Sequence, residues 1–584
     1  MTGSLDAEEI NLQIAAPLYR FILSCLMMMG AATGVASGQY SDGDLTGRRV
    51  SAVTVEFEET ASPNPTYRDA VLRAFSTYPD SRFDPTRSNL MLNKVRRLNF
   101  VKSAEYRIQP AGNGDLELVL AITLTDTVKS LPDKPIGWIA DRTWADFPTL
   151  YADDRNVLAA KLENKSMLFS NTNAFFGRPD VLTAGNPLAE NPSGKGTDSW
   201  LETSFQAGIY GLGAVTDKVS AFAGASYIYS ISVGDELFTD RTRGHGHFED
   251  AYAGLIGSNT TASGGNRQAV LLFGRKSFQV DNGMILRLSS ANGGERAALQ
   301  SNPRNAADML LLAQFSYDAH KLELFRLDPD ELEPVDSDTV LEGINYEGNL
   351  LPNLRLGAML LRVPQSNFGY FTVTDTFSRD GLQVADLRLA LDPPAGRSGF
   401  YAKAEFARQT HQDFDMDARA GYAELGYQFT DSGWRPTPSY RYSYFSGDDP
   451  DTASFERWDP LFAGGGGDEW VQGLNQYKVV QTSNVIAHRL MARLQPTPRW
   501  ELTPQLWLFK ADTLNNLGGA QALSVLSSND LGKEANITAR YVSSSKLIYV
   551  FSAAYTIPGD AIRDALGEGY RNWLSASALV IARF

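Results

Sequence analysis

Basic side chains recur at alternate positions in several segments of this chain. In "HRLMARL", Arg489 and Arg493 lie on one face of an extended chain, whereas Leu490, Ala492 and Leu494 lie on the other. Where such a face borders a narrow aqueous path, its positive charge lowers the electrostatic barrier to an anion. The same alternation selects Arg355, Arg388, Lys403, Arg441, Arg489, Arg493, Arg540 and Arg583 as candidate anion-binding residues.

Acidic side chains on the same faces allow a second interpretation. The acids concerned are Asp386, Glu405, Glu424, Glu501 and Glu534. They could pair with the basic residues and brace a wall instead of leaving them to a solute. For any single residue, the sequence leaves both interpretations open.

Two other clusters could hold a cation. "RGHGHFED" offers His245, His247, Glu249 and Asp250 as metal ligands, and "GDDPD" at 447–451 offers carboxylates to calcium. We predict a solvated loop and strand start for the first, and an acidic loop without calcium for the second. No metal or other cofactor is expected.

Catalytic motifs are absent from the sequence. It has no serine nucleophile elbow, no glycine loop for phosphate and no carboxylate pair in a recognisable motif. His488 precedes Arg489, but five histidines without a motif do not indicate a hydrolase. We therefore predict that the protein is not an enzyme.

Composition excludes several classes of protein. The formal net charge of −15 argues against a nucleic-acid partner, which needs a basic surface. The apolar run at 21–36 is shorter than the ~20 residues of a membrane-spanning helix. With the small residues at 36–38, it predicts a signal peptide over residues 1–38 with an extended first region. Cys25, the sole cysteine, lies inside it, so no thiol chemistry is expected in the mature chain.

From about residue 160, apolar and polar residues alternate in segments of about ten residues. In "RSGFYAKAEFAR", Phe400 and Phe406 share one face, whereas Lys403 and Glu405 share the other. Short connections alternate with long ones at 364–379, 446–483, 511–532 and 557–571. This pattern is typical of a transmembrane β-barrel with short turns at one end and long loops at the other. Counting back from the C-terminus predicts about eighteen antiparallel strands over residues 160–584, beginning with "KLENKSMLF".

In such a barrel the basic faces point into the lumen, because an arginine facing lipid at mid-membrane would cost ~2–4 kcal/mol. The final segment, "LSASALVIARF", then pairs with the first strand, which removes the free edge of a terminal strand. Outer-membrane lipid and lipopolysaccharide would surround the barrel. The terminal Phe584 resembles the signal read by the barrel-assembly machinery, which would be a partner during biogenesis.

Residues 47–127 predict a small α/β unit with the order β-α-α-β-β. "VSAVTVEF" is a predicted strand, "YRDAVLRAF" and "DPTRSNLMLNKVRRL" are predicted helices, and two strands flank the turn "AGNGD". "RRLNFVKSAEYRI" followed by "DLELVLAITL" resembles the POTRA domain, a periplasmic module in front of outer-membrane transporters. The resemblance implies a periplasmic position and export proteins as partners, bound by strand addition. Residues 128–159 would form a linker.

Segments of the barrel, taken in order, resemble the alginate-export family of outer-membrane porins. They are "FEDAYAGLIG", "LLFGRKSFQVDNGMIL", "YSYFSGDDPDTASFERWDPLFAGGGG", "LGKEANITARY" and "YTIPGDA". The second segment implies that Arg275 lies in the pore. The resemblance implies an all-β barrel in the cell outer membrane that exports a secreted polysaccharide by passive passage through a water-filled lumen.

Two alternatives remain open, because a fused POTRA-like domain is not expected on the alginate exporter itself. One is a transporter for protein secretion or outer-membrane protein assembly. That class resembles barrels with an Arg-Gly-Tyr/Phe tip on an inward loop, and residues 446–470 contain no such element. The other alternative is a general solute porin.

Overall fold

The computed structural model describes residues 48–583, except for 59–64, 76–82, 84, 97, 99, 112–114, 126–147, 153–155, 217, 261–265, 289–291, 318, 352, 394–397, 431, 464–473, 498 and 545. The predicted signal peptide, most of the predicted linker and Phe584 lie outside the described residues.

Residues 48–125 contain a three-stranded sheet and two helices. The strands are β1 (Val50–Glu58), β2 (Val101–Pro110) and β3 (Leu116–Leu124), and the helices α1 (Pro65–Phe75) and α2 (Pro85–Arg96) follow β1 in sequence. The sheet order is β1-β3-β2, with β1 parallel and β2 antiparallel to β3. Apolar side chains of β3 and of both helices are buried, which gives this unit its own core. The predicted β-α-α-β-β order is confirmed, and the resemblance to a POTRA domain stays a prediction.

The strands that follow form the barrel. Its first half consists of a short strand β4 (Thr149–Ala152) and then β5 (Asn156–Thr172), β6 (Thr197–Ala214), β7 (Val219–Gly234), β8 (Arg243–Thr260), β9 (Asn266–Arg275), β10 (Ala307–Tyr317), β11 (His320–Pro329), β12 (Val340–Leu351) and β13 (Leu354–Gln365).

A small hairpin, β14 (Gly369–Phe371) and β15 (Thr376–Ser378), separates the two halves. The second half consists of β16 (Leu382–Leu391), β17 (Gly399–His411), β18 (Ala418–Gln428), β19 (Thr437–Phe445), β20 (Val485–Thr497), β21 (Trp500–Lys510), β22 (Asp530–Ser544), β23 (Leu547–Pro558) and β24 (Trp573–Arg583). Two short helices, α3 (Pro179–Leu182) and α4 (Asp560–Leu566), lie in loops.

In the described part of the chain, eighteen antiparallel strands close the barrel, and β4 adds a short pairing to β5. The last strand pairs with the first, from Leu574 opposite Thr172 to Arg583 opposite Glu163. The predicted closure is therefore confirmed. The first strand begins at Asn156, whereas the sequence placed the start of the barrel at 160.

Alternation along the strands separates an apolar exterior from a polar interior. On β16, Leu387 and Leu389 are exposed on the outside, whereas Asp386 and Arg388 are buried on the inside. The apolar exterior can contact lipid without placing polar side chains in it, because the polar side chains lie in the lumen. This arrangement explains how strands with so many charged residues can cross a membrane. Among the described residues, the helices are too short and too polar to cross a membrane.

The connections fall into two classes, as predicted. The short connections, such as those from β12 to β13 and from β20 to β21, define the short-turn end of the barrel. The long loops define the opposite, long-loop end. Three of them matter below: the β9–β10 loop (276–306), the β13–β16 loop (366–381) and the β19–β20 loop (446–484). In outer-membrane barrels the short turns face the periplasm and the long loops face the exterior.

Candidate functional site

The lumen contains a polar cavity of about 950 Å³ in its short-turn half. Arg355, Asp392 and Thr437 line it and lie next to short turns. Among the described barrel residues, eight basic side chains border this cavity: Arg287, Lys321, Arg355, Arg388, Lys403, Arg441, Arg489 and Arg493. Five acidic side chains border it: Asp281, Glu347, Asp392, Glu424 and Glu501. Positive charge is therefore in excess around this part of the lumen.

Arg355 and Lys403 are the basic residues most open to a solute. Both lie on the inward-facing side of their strands and are exposed to the cavity. Neither makes an ion pair with any described residue. Their charge is therefore not neutralised by a bound carboxylate, and an anion in the cavity would meet it directly.

Arg441 and Arg489 have a different environment, since both bind the carboxylate of Glu424. Arg441 Nη2 lies 2.6 Å and Arg489 Nη2 lies 2.9 Å from Glu424 Oε2. Tyr401 donates its hydroxyl to Glu424 Oε1 over 2.7 Å. The Arg489 side chain is only 1% exposed. This network braces four neighbouring strands, β17 to β20.

Most of the other predicted basic residues also have acidic partners. Arg388 Nη1 lies 3.1 Å from Asp386 Oδ2. Arg540 lies 3.4 Å from Glu501, and Arg493 lies 4.0 Å from the same residue but keeps half of its side chain exposed. Arg583 donates to Glu163 over 2.8 Å. These four residues therefore fit the interpretation that basic side chains pair with acids and brace the wall, whereas Arg355 and Lys403 do not fit it.

Arg275 stands at the long-loop end of β9 and is largely covered. It forms ion pairs with Asp308 and Asp330, and Asp330 also binds Arg296 and Arg304. Burial by itself would raise the pKa of Asp330, but the hydrogen bond from Arg275 and the charge of Arg296 bring it below its usual range. These contacts attach the start and end of the β9–β10 loop to the wall.

The β9–β10 loop crosses the lumen. It leaves the wall after Gly274, whose φ of 123° suits glycine, and a Cβ there would lie 2.3 Å from the Ala251 carbonyl oxygen. At the loop tip, Asn282 Nδ2 donates to the Tyr422 hydroxyl on β18 over 2.6 Å. Arg287 N–H donates to the Phe462 carbonyl of the β19–β20 loop over 2.9 Å. The tip therefore narrows the path above the basic cavity.

The β19–β20 loop also folds inward and binds the wall at β22, two strands beyond β20. The backbone N–H groups of Leu474, Asn475 and Gln476 donate to the Glu534 carboxylate over 2.6, 2.9 and 3.0 Å. Among the described contacts, Glu534 thus serves as an anchor for this loop, and its partners are backbone amides, whereas the sequence left open a pairing with a basic wall residue. Burial lowers the pKa of the neighbouring Lys478 to about 7, although the charge of Glu534 acts in the opposite direction.

A buried ion pair joins two long loops. Arg379 of the β13–β16 loop binds Asp459 of the β19–β20 loop through Nε and Nη2, at 2.7 and 3.0 Å. Tyr370 donates its hydroxyl to the same carboxylate over 2.6 Å, and burial raises the pKa of Tyr370. Both charged side chains are at most 6% exposed. This ion pair therefore fixes the two loops to each other.

The prediction of a solvated loop at "RGHGHFED" was wrong. All of its candidate ligands lie on β8, and the two carboxylates are buried. Glu249 accepts the backbone N–H groups of Asn305 and Ala306, and Asp250 accepts the Tyr210 hydroxyl. These two carboxylates therefore attach the β9–β10 loop and the strand β6 to β8. In the described ranges, His, Cys, Asp and Glu side chains form no group of three or more suited to a metal ion.

His488, the residue that suggested a hidden hydrolytic site, faces away from the lumen. Its Nδ1 bonds the Tyr440 hydroxyl at 2.7 Å on the outer face, whereas Arg489 points inward. Lys321 and Arg287 also line the cavity, although neither is among the pore residues predicted from the sequence. Strand alternation alone could have identified Lys321, since it shares a face with the buried Glu323. Nothing in the local pattern places Arg287, because it belongs to a loop that folds back into the barrel.

The sequence model of a family described as "Alginate export" matches residues 239–573, more than half of the chain. None of the curated proteins compared with the chain matches it.

Several solved structures are similar to this chain at low sequence identity. The outer membrane protein OprD from Pseudomonas aeruginosa is 13% identical with a TM-score of 0.42, over 73% of this chain and 94% of that one. The outer membrane protein opdK from the same organism is 10% identical with a TM-score of 0.44, over 73% and 98%. OccAB2 from Acinetobacter baumannii is 8% identical with a TM-score of 0.43, over 73% and 98%.

Proposed function

Starting from the fact that the chain belongs to the alginate-export family of outer-membrane channels, we propose that it exports an anionic polysaccharide from the periplasm to the cell surface. The polymer passes through the water-filled lumen without covalent chemistry. The observation that carries this proposal is the excess of basic side chains around the cavity in the short-turn half of the lumen. A carboxylated polymer that enters from the periplasm would meet this charge first.

Arg355 and Lys403 supply the free charge in this proposal. A polymer carboxylate exchanges its water for a charge-assisted hydrogen bond to either side chain, and it leaves again because neither side chain encloses it. Conduction through a channel needs binding that is favourable but weak. The other basic cavity residues on the strands keep their acidic partners and hold the wall in shape.

The small N-terminal domain fits a docking role in this proposal. Its sheet has two edge strands, β1 and β2, and an edge strand can accept an extended peptide through backbone hydrogen bonds. Periplasmic export proteins are the proposed partners. The resemblance to POTRA domains supports this role, and protein secretion or outer-membrane protein assembly is the competing role for the same module.

Deletion of the gene tests the proposal. We expect loss of extracellular polysaccharide and retention of polymer in the periplasm, both restored by the wild-type chain. Normal polysaccharide secretion with the loss of one secreted protein would favour the protein-transport alternative. Normal secretion of polysaccharide and of proteins, together with slower uptake of small solutes, would favour a general porin.

A further inference from the structure

A band of charged side chains runs along the outside of the barrel at the long-loop end of β11 to β18. Four arginines, Arg326, Arg362, Arg408 and Arg419, project from the outer face and keep more than half of their side chains exposed. Backbone pairing aligns them across the sheet, with Arg326 opposite Glu342, Glu342 opposite Arg362, and Arg408 opposite Arg419. The band consists of two groups, one on β11 to β13 and one on β17 and β18, with Gln383 and Ala385 of β16 between them.

Two carboxylates divide the four arginines into two groups. Glu342 binds Arg326 and accepts Arg362 Nε over 2.7 Å. Asp417 accepts Arg408 Nε over 2.7 Å and also binds Arg419. Each group carries one positive charge in excess, so the band as a whole carries two. An arginine fork held by a carboxylate on one side still has N–H groups for a phosphate on the other.

An apolar groove lies directly below the band. A cavity of about 880 Å³ opens on the outer surface and is lined by Arg326, Arg362 and Arg408 at its upper end. Leu324, Ile344 and Leu360 form its lower part and are 39%, 49% and 63% exposed. The groove is thus polar and cationic at the level of the long loops and apolar toward the middle of the barrel.

We propose that this face binds a lipopolysaccharide molecule of the outer leaflet, with the phosphate groups of its lipid A on the arginine band and its acyl chains in the groove. The occupant follows from charge and polarity, since the site needs an anionic headgroup and hydrocarbon a few ångströms apart. The long-loop end faces the outer leaflet, where such a lipid resides. Arginine at that depth carries little penalty, and basic clusters beside apolar surface bind anionic lipid headgroups.

The opposite side of the barrel provides a contrast. At the long-loop end of β6 and β7, the outer face carries Leu201, Ile231 and Val233. Lys510 on β21 and Lys533 on β22 are exposed outward near the same end, and neither of them lines the groove below the arginine band. These two lysines therefore supply a matched control for general positive charge.

Native mass spectrometry of the full-length, lipid-depleted protein in detergent tests the proposal. The probes are phosphorylated lipid A, dephosphorylated lipid A with the same acyl chains, and phosphatidylglycerol. Replacement of Arg326, Arg362, Arg408 and Arg419 by Gln should raise the Kd for phosphorylated lipid A at least about tenfold, because several charge-assisted hydrogen bonds are lost together. The control Lys510→Gln with Lys533→Gln should change it less than about twofold.

Four results would overturn the proposal. One is an equal loss of lipid A binding in the lysine control, and another is equal wild-type affinity for the phosphorylated and dephosphorylated lipids. Phosphatidylglycerol binding as tight as that of lipid A would remove the assignment to lipopolysaccharide. A second copy of the chain is the other conceivable occupant. An oligomer of the lipid-depleted protein that dissociates in the arginine variant would replace the lipid with that copy. Heat-dependent migration of each variant on gels shows whether its barrel is folded.

Discussion

The guanidinium of Arg583 donates its Nε–H to the Glu163 carboxylate over 2.8 Å, so a side-chain ion pair joins the last barrel strand to the first. Ten backbone positions of β24 are paired with β5 along the same junction. The Glu163 side chain is only 8% exposed, and that of Arg583 is 22% exposed. The terminal strand is therefore fixed on both edges, although it is the last segment of the chain.

Arg583→Ala should lower the free energy of unfolding by about 1–3 kcal/mol, because it leaves the nearly buried Glu163 carboxylate without this partner. The lysines Lys161 and Lys165 are close enough to limit the loss. Urea unfolding of the protein in liposomes measures the effect. Arg499→Ala, in an exposed short turn, should change the same quantity by less than about 0.5 kcal/mol. Equal values for the two variants would contradict the role given to this ion pair.

Asp459→Asn should separate the β13–β16 and β19–β20 loops. The substitution leaves the buried Arg379 guanidinium without its carboxylate, and breaking a buried pair costs about 3–5 kcal/mol. We expect a larger mean single-channel conductance and faster protease cleavage within both loops. Tyr370→Phe removes one hydrogen bond to the same carboxylate and should have a smaller effect in the same direction.

Asp375→Asn provides the control for that experiment, since Asp375 lies at the exposed tip of the hairpin in the same loop. Its conductance and cleavage should match those of the wild type. A wild-type conductance in Asp459→Asn would mean that the two loops do not restrict the lumen.

Docking of residues 474–478 should tighten as the pH rises above about 7. Burial holds the pKa of Lys478 at about 7, against an ordinary value of 10.5, so the docked loop favours the neutral amine. The docked form therefore gains up to about tenfold per pH unit between the two values and is independent of this group below about pH 7. Hydrogen-exchange protection of the Leu474, Asn475 and Gln476 amides, corrected for intrinsic exchange, measures it.

Lys478→Met should remove that pH dependence and raise protection already at pH 6, because no charge has to be discharged on docking. Lys533→Met, on the outer face, should keep the wild-type profile. A wild-type profile that stays flat from pH 6 to 9 would contradict the assignment to Lys478.

Arg355→Glu combined with Lys403→Glu should shift the reversal potential of single channels toward the equilibrium potential of the cation. Both side chains border the cavity and make no ion pair with a described residue, so their reversal changes the field without breaking a wall contact. Planar bilayers with a salt gradient measure the shift. The outward pair Lys510→Glu with Lys533→Glu should leave the potential unchanged, and equal shifts in the two pairs would assign the effect to surface charge.

Sequence periodicity predicted the barrel well, because the alternation of lipid-facing and lumen-facing residues is repeated in every strand. The pairing of the terminal strand with "KLENKSMLF" followed from the need to remove a free edge. The same reasoning placed Arg388, Arg441 and Arg489 on the lumen face, where the structure has them buried.

Contacts made by loops could not be derived in this way. Glu534 lies on a regular strand, but its partners are backbone amides of a loop nearly sixty positions away in sequence. Glu249 and Asp250 looked like solvated residues because the sequence "GHGH" weakens the strand pattern, whereas loop amides and a tyrosine bury them. Strand period determines which way a side chain points, and it carries no information on what folds over that side chain.

The most direct test of the proposed function is block of single-channel current by an acidic oligosaccharide added at the short-turn side. The wild-type channel should show brief, concentration-dependent blocks, and a neutral oligosaccharide of equal length should give few. In Arg355→Gln with Lys403→Gln the acidic blocks should become at least about tenfold rarer or shorter, because the two free charges are lost. Equal block by the acidic and neutral sugars in the wild type, or unchanged block in the double variant, would contradict export of an anionic polymer along this basic cavity.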